Sequence, residues 1–395
     1  MRYGVPYQGS KNKICKWVID NLLSGKVLVD LFAGGCSVTH AAMLSGKWDY
    51  FIANDIGDAP EVFINAIEGK YAAENRWISR EDFERLKDTD PYVSLCWSFG
   101  HDRSNYLYAR EVEPWKKALH YARVFGDTSL LREMGIDSDG STTDVRKHHD
   151  EYKDKYIRWW LSRQKYTPAE LDELMANVKS DIERDKEELR QYLIDALKKS
   201  GLTQAEVQRR LGTQMAGHYF GRSQWEFPTQ EMYEKMQEFM PLKTDYNEIV
   251  GLYRLRQSLQ RLQSLQSLQS LQRLQSLQRL ENYKNLIVTQ KYYTELVIPD
   301  GAIVYADPPY KGTDIKGYLC RFDYEQFERW LDAVPFMVIV SEYTAPSGCV
   351  EIASIKKQCL RSPTNTGGTT TEKLFVQERF LKQYNEMREQ QRIEI

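Results

Sequence analysis

Short apolar runs alternate with amphipathic stretches at the start of the chain. Apolar runs at 26–32 and 49–54 are each followed by a segment of helical periodicity, at 36–44 and 59–68. Runs this short are typical of buried parallel strands, and strands that alternate with helices predict a parallel sheet with crossover helices. The first 70 residues therefore predict an α/β fold.

This pattern stops in the middle of the chain and returns near its end. Residues 96–250 are rich in Tyr, Trp, Lys and Glu at helical spacing, and one long helix is expected over 168–199, ended by Gly201. Asp323 and Gln326 have the N-cap and N3 spacing of a further helix. Strand patterns reappear at 286–288, 302–306, 336–341 and 373–378. The sequence thus predicts one sheet interrupted by a long helical insert.

Residues 252–281 form a low-complexity tract in which leucine recurs at every third position. Because a helix turns about 100° per residue, this period moves successive leucines around the helix instead of along one stripe. The spacing argues against a coiled coil, whose period is near 3.5. Gln, Leu and Arg favour helix, so a helical spacer is expected, with disorder as the alternative.

Composition and charge add few restrictions. The net charge is -2, so the whole chain is not a basic nucleic-acid binder, although residues 198–222 carry five Lys or Arg against one Glu. Six scattered cysteines without a CxxC pair are typical of reduced cytosolic thiols, and His148-His149 is expected to be a surface pair, not a metal site. No apolar run reaches the roughly 18 residues of a membrane helix, and no signal peptide is seen. A soluble, cytoplasmic, metal-free protein is expected.

The stretch VYADPPYKG, residues 304–312, ends an apolar strand with an acid, two prolines and a tyrosine. The carboxyl edge of such a sheet is where open α/β folds bind ligands. The Asp307 carboxylate and the Pro308 carbonyl suit both hydrogens of an exocyclic base amine, and accepting them would return electron density to a weakly nucleophilic nitrogen. Pro308 and Pro309 hold these acceptors in place, and Tyr310 offers a face for stacking a base. A plain proline-rich turn is the alternative.

A glycine turn near the N-terminus is the candidate cofactor site. Gly34 and Gly35 join the first strand to its helix, and their missing Cβ atoms let a cofactor approach the backbone. Asp55 follows the second strand, 21 positions after Gly34. This is close to the roughly 20-residue offset at which an acid meets ribose hydroxyls in nucleoside-binding sheets. A helix N-cap is the alternative role of Asp55.

Four motifs together resemble the alpha group of DNA adenine methyltransferases, with phage-borne and prophage-borne members looking most similar. In order, they are Tyr7-Gln-Gly-Ser-Lys11, Asp30-Leu-Phe-Ala-Gly-Gly35, Asp55 and Asp307-Pro-Pro-Tyr310. The stretches CWSFG and VSEYTAP strengthen the likeness, which covers residues 1 to about 125 and 285 to 380. The last motif is highly specific for methylation of an amino group, whereas the first is weaker alone.

The resemblance implies S-adenosylmethionine as cofactor and 6-methyladenine as product. Phe32 and Gly34 would line the cofactor pocket, Asp55 would bind its ribose, and Asp307 would touch both the cofactor and the adenine amine. Because a duplex buries that amine, the adenine must be flipped out. The implied cofactor residues are Tyr7, Lys11, Asp30, Phe32, Gly34, Asp55 and Asp307. The implied catalytic residues are Asp307, Pro308, Pro309 and Tyr310.

The expected fold class is α/β, a Rossmann-like S-adenosylmethionine-dependent methyltransferase sheet with a large, mostly helical inserted target-recognition region. The expected segments are a core over 1–95 and 282–395, an insert over 96–250 and a repeat spacer over 251–281. Double-stranded DNA is the expected partner of a monomer. The sequence leaves open whether a cognate restriction endonuclease accompanies it.

Residues 202–221 resemble a repressor-type helix-turn-helix, in which Ala205 and Leu211 would face inward and the second helix would enter the major groove. A plain helical hairpin is the alternative. The candidate DNA contacts are Arg209, Arg210, Gln214, His218, Tyr219 and Arg222.

Two other functions are weighed against adenine methylation. Methyltransferases acting on the 4-amino group of cytosine more often carry Ser in place of Asp307. A DNA-binding regulator with an inactive methyltransferase body would be expected to have lost Asp307, Tyr310 or Gly34.

Overall fold

The computed structural model describes residues 3–163, 168–222, 224–263, 284–311, 322–359 and 368–393. The chain divides into two compact units, Met1–Tyr108 with Gln269–Ile395 and Ala109–Leu268. No helix in the described ranges is both long and apolar enough to cross a bilayer.

The first unit contains the sheet. Its described strands are β1 (Val27–Asp30), β2 (Tyr50–Asn54), β3 (Leu286–Thr289), β4 (Ile303–Ala306), β5 (Val338–Glu342), β6 (Cys349–Cys359) and β7 (Gly368–Gln377). They lie in the order β3-β2-β1-β4-β5-β7-β6. Strands β1 to β5 pair with one another in parallel, whereas β7 is antiparallel to both β5 and β6. All residues of β4 and β5 are buried, as expected for strands covered on both faces.

Helices are the other main element of the residues that the structure describes. The described α-helices are α1 (Cys15–Asn21), α2 (Ser37–Ser45), α3 (Ala59–Ile67), α4 (Arg80–Leu86), α5 (Pro91–Cys96), α6 (Glu113–Phe125), α7 (Ser129–Glu133), α8 (Thr142–Lys147), α9 (His149–Ser162), α10 (Pro168–Ala176), α11 (Val178–Ser200), α12 (Gln204–Leu211), α13 (Ala216–Phe220), α14 (Gln230–Gln237), α15 (Tyr246–Gln263), α16 (Tyr324–Ala333) and α17 (Leu381–Ile393). Helices α6 to α15 belong to the second unit, which has no strand among its described residues.

Most of the predicted elements are confirmed. The predicted strands match β1 to β5 and β7, and α2 ends at Gly46, where a positive φ of 71° suits glycine. Helix α16 begins as expected, because the Asp323 carboxylate accepts from the backbone N–H of Gln326 at 2.9 Å.

Two expectations about secondary structure were wrong. The single helix expected over 168–199 is two helices, α10 and α11, because Asn177 lies between them with φ -130° and ψ 30°. The Asn177 side chain makes no capping hydrogen bond, so the break consists of the non-helical φ and ψ of this one residue. The second error is the absence of β6 from the prediction. This strand pairs with β7 through a register shift between Glu351 and Ala353, which obscures a regular alternation.

The second unit is built around α11 and α15. Arg256 on α15 contacts both carboxylate oxygens of Asp185 on α11 at 2.6 Å, in a buried ion pair. Leu255, Leu259 and Leu262 are buried on one face of α15, at helical spacing of four and three. Of the leucines spaced by three, Leu259 and Leu262 lie in the described part of α15, and the winding expected of the later ones stays a prediction. Residues 264–281 of the expected spacer lie outside the described residues, and the expected boundary at 250–251 falls inside α15.

Candidate active site

The candidate site lies at the carboxyl ends of β1 and β4. Strand β4 is the neighbour of β1 on one side, whereas β2, the next strand along the chain, is its neighbour on the other side. Such a change of direction is where open α/β sheets bind ligands. Asp30, the last residue of β1, pairs with Tyr305 of β4, two residues before Asp307. The sheet thus brings the glycine turn and the Asp-Pro-Pro-Tyr segment to the same edge.

Asp307 and Lys11 form the closest ion pair at this edge. The Lys11 ammonium donates to both carboxylate oxygens of Asp307 at 2.6 Å, and only 6% of the lysine side chain is exposed. Burial raises the pKa of the Asp307 carboxyl, and the Lys11 ammonium opposes this shift. The structure therefore joins two predicted site residues that are far apart in sequence.

Tyr310 is held at both ends of its side chain. Its hydroxyl donates to Oε1 of Glu372 and lies 3.2 Å from the Ser341 hydroxyl. The Lys11 ammonium is 4.5 Å from the ring centroid, and the Tyr343 ring makes an edge contact with centroids 4.5 Å apart. Tyr310 is buried in this arrangement, so an incoming base must displace a neighbour to stack on it.

Three further contacts fix the backbone around the two prolines. Glu342, at the end of β5, accepts from the backbone N–H of Lys311 at 2.7 Å and from that of Tyr343. The Tyr324 hydroxyl donates to the carbonyl of Pro309. These bonds supplement the fixed φ angles of the prolines and keep Asp307 from turning away.

The glycine turn packs against Tyr7 and is closed by Asp55. Gly34 has a φ of +47°, and a Cβ atom there would lie 2.7 Å from the Tyr7 ring. The Asp55 carboxylate accepts from the backbone N–H groups of Gly34 and Gly57, both at 2.8 Å. Asp55 therefore orders the turn, in addition to any contact with a ribose.

Asp30 has a buried oxygen that no other described group satisfies. Its Oδ2 accepts from the Thr39 hydroxyl at 2.7 Å and from the Thr39 backbone N–H at 3.2 Å, whereas Oδ1 has no partner. Burial raises the pKa of the Asp30 carboxyl to about 7. An unsatisfied buried acceptor is costly, which suggests that a donor joins it in the working protein.

Replacing Asp30 tests this electrostatic cost. The folded protein keeps the Asp30 proton to a higher pH than the unfolded chain does, so stability falls as the pH rises from about 4 to about 7. Asp30→Asn cannot ionise, so at pH 8 it is expected to melt at a higher temperature than wild type. The corresponding gain in the free energy of unfolding has an upper bound of about 4 kcal/mol. At pH 4.5 the difference should be small. Thermal unfolding measured at both pH values checks this. The control is Asp49→Asn, which changes an exposed acid. If the melting temperatures of wild type and Asp30→Asn change by the same amount between the two pH values, the prediction is wrong.

Phe32 lies beside the glycine turn but packs into an aromatic cluster. Its ring centroid is 5.4 Å from that of Tyr293, 5.7 Å from that of Phe322 and 5.8 Å from that of Phe327. Phe32 is half-buried, so one part of its ring remains for the pocket role that the resemblance implies.

Four residues of this site were missed in the sequence: Ser341, Glu342, Tyr343 and Glu372. The first three lie inside VSEYTAP, which was recognised only as a similar stretch. Glu372 had a signal of its own, because it occupies the same alternating face of β7 as the buried Leu374 and Val376. A charge at an inward-facing position is rare unless it is paired.

The candidate DNA contacts lie in the second unit, around α12 and α13. A capping box between Thr203 and Glu206 starts α12, and Arg209 and Arg210 are exposed. Ala205 is exposed, so its expected inward position was wrong, and Val207 takes that place.

The second helix differs from the expected groove-reading element. It is only five residues long, and Gln214 precedes it. Tyr219 is 4% exposed and belongs to the hydrophobic core, so as placed it has almost no surface to offer a base. Arg222 is 80% exposed, and His218 Nδ1 lies 3.2 Å from the carbonyl of Gln224.

A comparison with known protein families gives a match over part of the chain. Residues 7–133 match the family described as D12 class N6 adenine-specific DNA methyltransferase. The search of curated proteins gave no match. The family match confirms the prediction of DNA adenine methylation, and no finding favours either alternative function.

Proposed function

We propose that this chain moves a methyl group from S-adenosylmethionine to the 6-amino group of an adenine flipped out of duplex DNA. Residues 7–133, which match the D12 class of N6 adenine-specific DNA methyltransferases, are the premise of this mechanism. The observation that carries the mechanism is the contact of Asp307 with Lys11, which lies over the Tyr310 ring, at the switch point of the sheet.

The residues at this edge fit the proposed cofactor. S-adenosylmethionine has an ammonium group, a sulfonium and a ribose diol, and carboxylates suit all three. Asp30 has an unsatisfied buried oxygen, Asp55 lies beside the glycine turn, and Asp307 lies at the neighbouring strand end. Tyr7 and Lys11 would complete the site from the N-terminal segment. When bound, the cofactor supplies an electrophilic methyl group.

Asp307 is the residue proposed to activate the adenine amine. Each carboxylate oxygen has two lone pairs, so Asp307 can accept from the amine while it keeps a contact with Lys11. The amine must lose one proton as it gains a methyl group. A carboxyl group whose pKa is raised by burial is a better proton acceptor than an exposed one.

When the base enters, the adenine is proposed to replace the Lys11 ammonium over the Tyr310 ring. The Lys11 ammonium lies 4.5 Å from the centroid of the ring on which the adenine would stack. Stacking of a base on an aromatic ring is worth about 1–3 kcal/mol, which helps to offset the cost of unstacking the adenine in the duplex. The Pro308 carbonyl would accept the second amine hydrogen.

We further propose that the helical unit reads the DNA target. The protein would act as a monomer in the cytoplasm, with or without a cognate restriction endonuclease. Arg209 and Arg210 are exposed in the last turn of α12, which supports phosphate contacts there. Gln214, His218 and Arg222 are retained as candidate contacts, whereas the burial of Tyr219 favours a structural role for that residue.

Removing two of these charges gives a direct test of DNA contact. The double variant Arg209→Ala/Arg210→Ala is expected to weaken DNA binding and to lower the slope of log K against log salt by about 2, because two phosphate contacts are lost. Fluorescence anisotropy with labelled duplex DNA at several salt concentrations measures the slope. The control is Arg146→Ala/Lys147→Ala, which removes the same charge from exposed positions on α8. Equal slopes in the two double variants would place the DNA elsewhere.

The function itself is tested with labelled cofactor and unmethylated plasmid. We expect label in DNA, recovered as 6-methyladenine after hydrolysis to nucleosides. Label recovered as 4-methylcytosine would support the cytosine alternative, and DNA retention without label would support the regulator. Long-read sequencing of DNA from cells that express the protein would then report the target sequence.

A further inference from the structure

Glu372 is a completely buried acid that the mechanism above does not use. It lies on β7, with 0% of its side chain exposed. A buried carboxylate is costly unless it is paired and hydrogen-bonded, so its contacts should explain its presence.

Three groups meet at one carboxylate oxygen. Oε1 of Glu372 accepts from the Tyr310 hydroxyl and from the Ser341 hydroxyl, the latter at 2.7 Å. The Lys11 ammonium is 3.6 Å from the same oxygen but 2.6 Å from Asp307. Among the contacts between described residues, Lys11 is therefore closer to Asp307, and Glu372 is hydrogen-bonded by the two hydroxyl groups.

These contacts determine where the Tyr310 ring can lie. The ring is attached at one end to the rigid Pro309 and is anchored at the other by its hydroxyl. An aromatic ring fixed at both ends cannot swing aside when a base arrives, so its orientation is set in advance.

We propose that Glu372 is a positioning residue for methyl transfer, which holds Tyr310 by its hydroxyl in the orientation that stacks the flipped adenine. This inference rests on the proposed function. Ser341 supports the same bond, since it donates to the same oxygen and lies 3.2 Å from the Tyr310 hydroxyl.

A double-mutant cycle between Glu372 and Tyr310 tests the inference. Glu372→Met removes the acceptor, and Tyr310→Phe removes the donor while keeping the ring. Each is expected to lower kcat for plasmid methylation by about 10- to 100-fold, with KM for S-adenosylmethionine within about twofold of wild type. The double variant should lose no more than the larger single variant, because both remove the same hydrogen bond.

Two further variants separate positioning from general stability. Glu372→Gln keeps an acceptor oxygen and should restore kcat to within about threefold of wild type. Glu351→Met, at a partly exposed position on the neighbouring strand, should leave kcat unchanged. The melting temperature of Glu372→Met should fall, because the buried hydroxyls of Tyr310 and Ser341 lose their acceptor, so kcat is measured at a temperature at which all the variants are folded. If this variant does not fold, Tyr310→Phe alone carries the test, because it removes the donor and leaves Glu372 in place: kcat should fall by about 10- to 100-fold with KM for S-adenosylmethionine within about twofold of wild type.

Multiplicative losses in the double variant, or failure of Glu372→Gln to restore kcat, would overturn the inference. So would equal losses of kcat and of cofactor affinity in Glu372→Met. Wild type is assayed in parallel, and if it puts no label into DNA, the proposed function fails. If wild type labels DNA but the losses of the two single variants multiply in the double variant, only the role of Glu372 is refuted.

Discussion

Asp307→Ala is expected to lower kcat for adenine methylation by about 10³-fold or more. The substitution removes the acceptor proposed to activate the amine, in a buried site where such an interaction is worth most. Binding of S-adenosylmethionine should weaken less, because Asp30 and Asp55 remain at the glycine turn. Incorporation of labelled methyl groups into plasmid measures the first effect, and calorimetric titration with the cofactor measures the second.

The control for this prediction is Asp300→Ala, which removes an exposed acid shortly before β4. It should leave both kcat and cofactor affinity unchanged. A normal level of 6-methyladenine in cells that carry Asp307→Ala would falsify the assigned role.

Gly34→Ala is expected to damage both folding and cofactor binding. At a φ of +47° the alanine is strained, and its Cβ atom would lie 2.7 Å from the Tyr7 ring. Because the ring must move, we expect a loss of about 3 kcal/mol in the free energy of unfolding. We also expect at least about a tenfold loss of affinity for S-adenosylmethionine. Denaturant unfolding and calorimetric titration measure the two effects.

Gly46→Ala is the matched control, since Gly46 lies at the other end of the same helix. Its φ is +71°, but no atom lies within 4 Å of the position of an added Cβ. Only the conformational strain of about 1 kcal/mol is expected there. If both variants lose the same stability and both bind the cofactor normally, contact between Gly34 and Tyr7 has no role in the site.

Sequence patterns predicted the parallel part of the sheet because its strands are short and mostly apolar. They did not predict β6, whose pairing with β7 contains an irregularity, or the break at Asn177, which one residue produces within a continuous helical pattern. The pairing of β6 depends on tertiary structure, and the break depends on the backbone angles of one residue. Neither is visible in the periodicity of apolar positions in the sequence.

The site was predictable wherever a residue belonged to a compact motif. Asp307 and Tyr310 were identified from four adjacent residues, and the structure places Lys11 against both. Glu372 was missed because its partners are distant in sequence, and only the sheet brings them together. Tyr219 shows the opposite error, since its position in a helix-turn-helix pattern gave no sign that its side chain would be needed in the core.

The placement of β7 between β5 and β6 has a consequence for biosynthesis. Lys11 and Tyr310 are synthesised before Glu372, because Glu372 follows both of them in the chain. The cluster around Tyr310 therefore stays incomplete until β7 has been synthesised. A polypeptide that stops before β7 would lack Glu372 and the strand that carries it, so termination there should leave no partial activity.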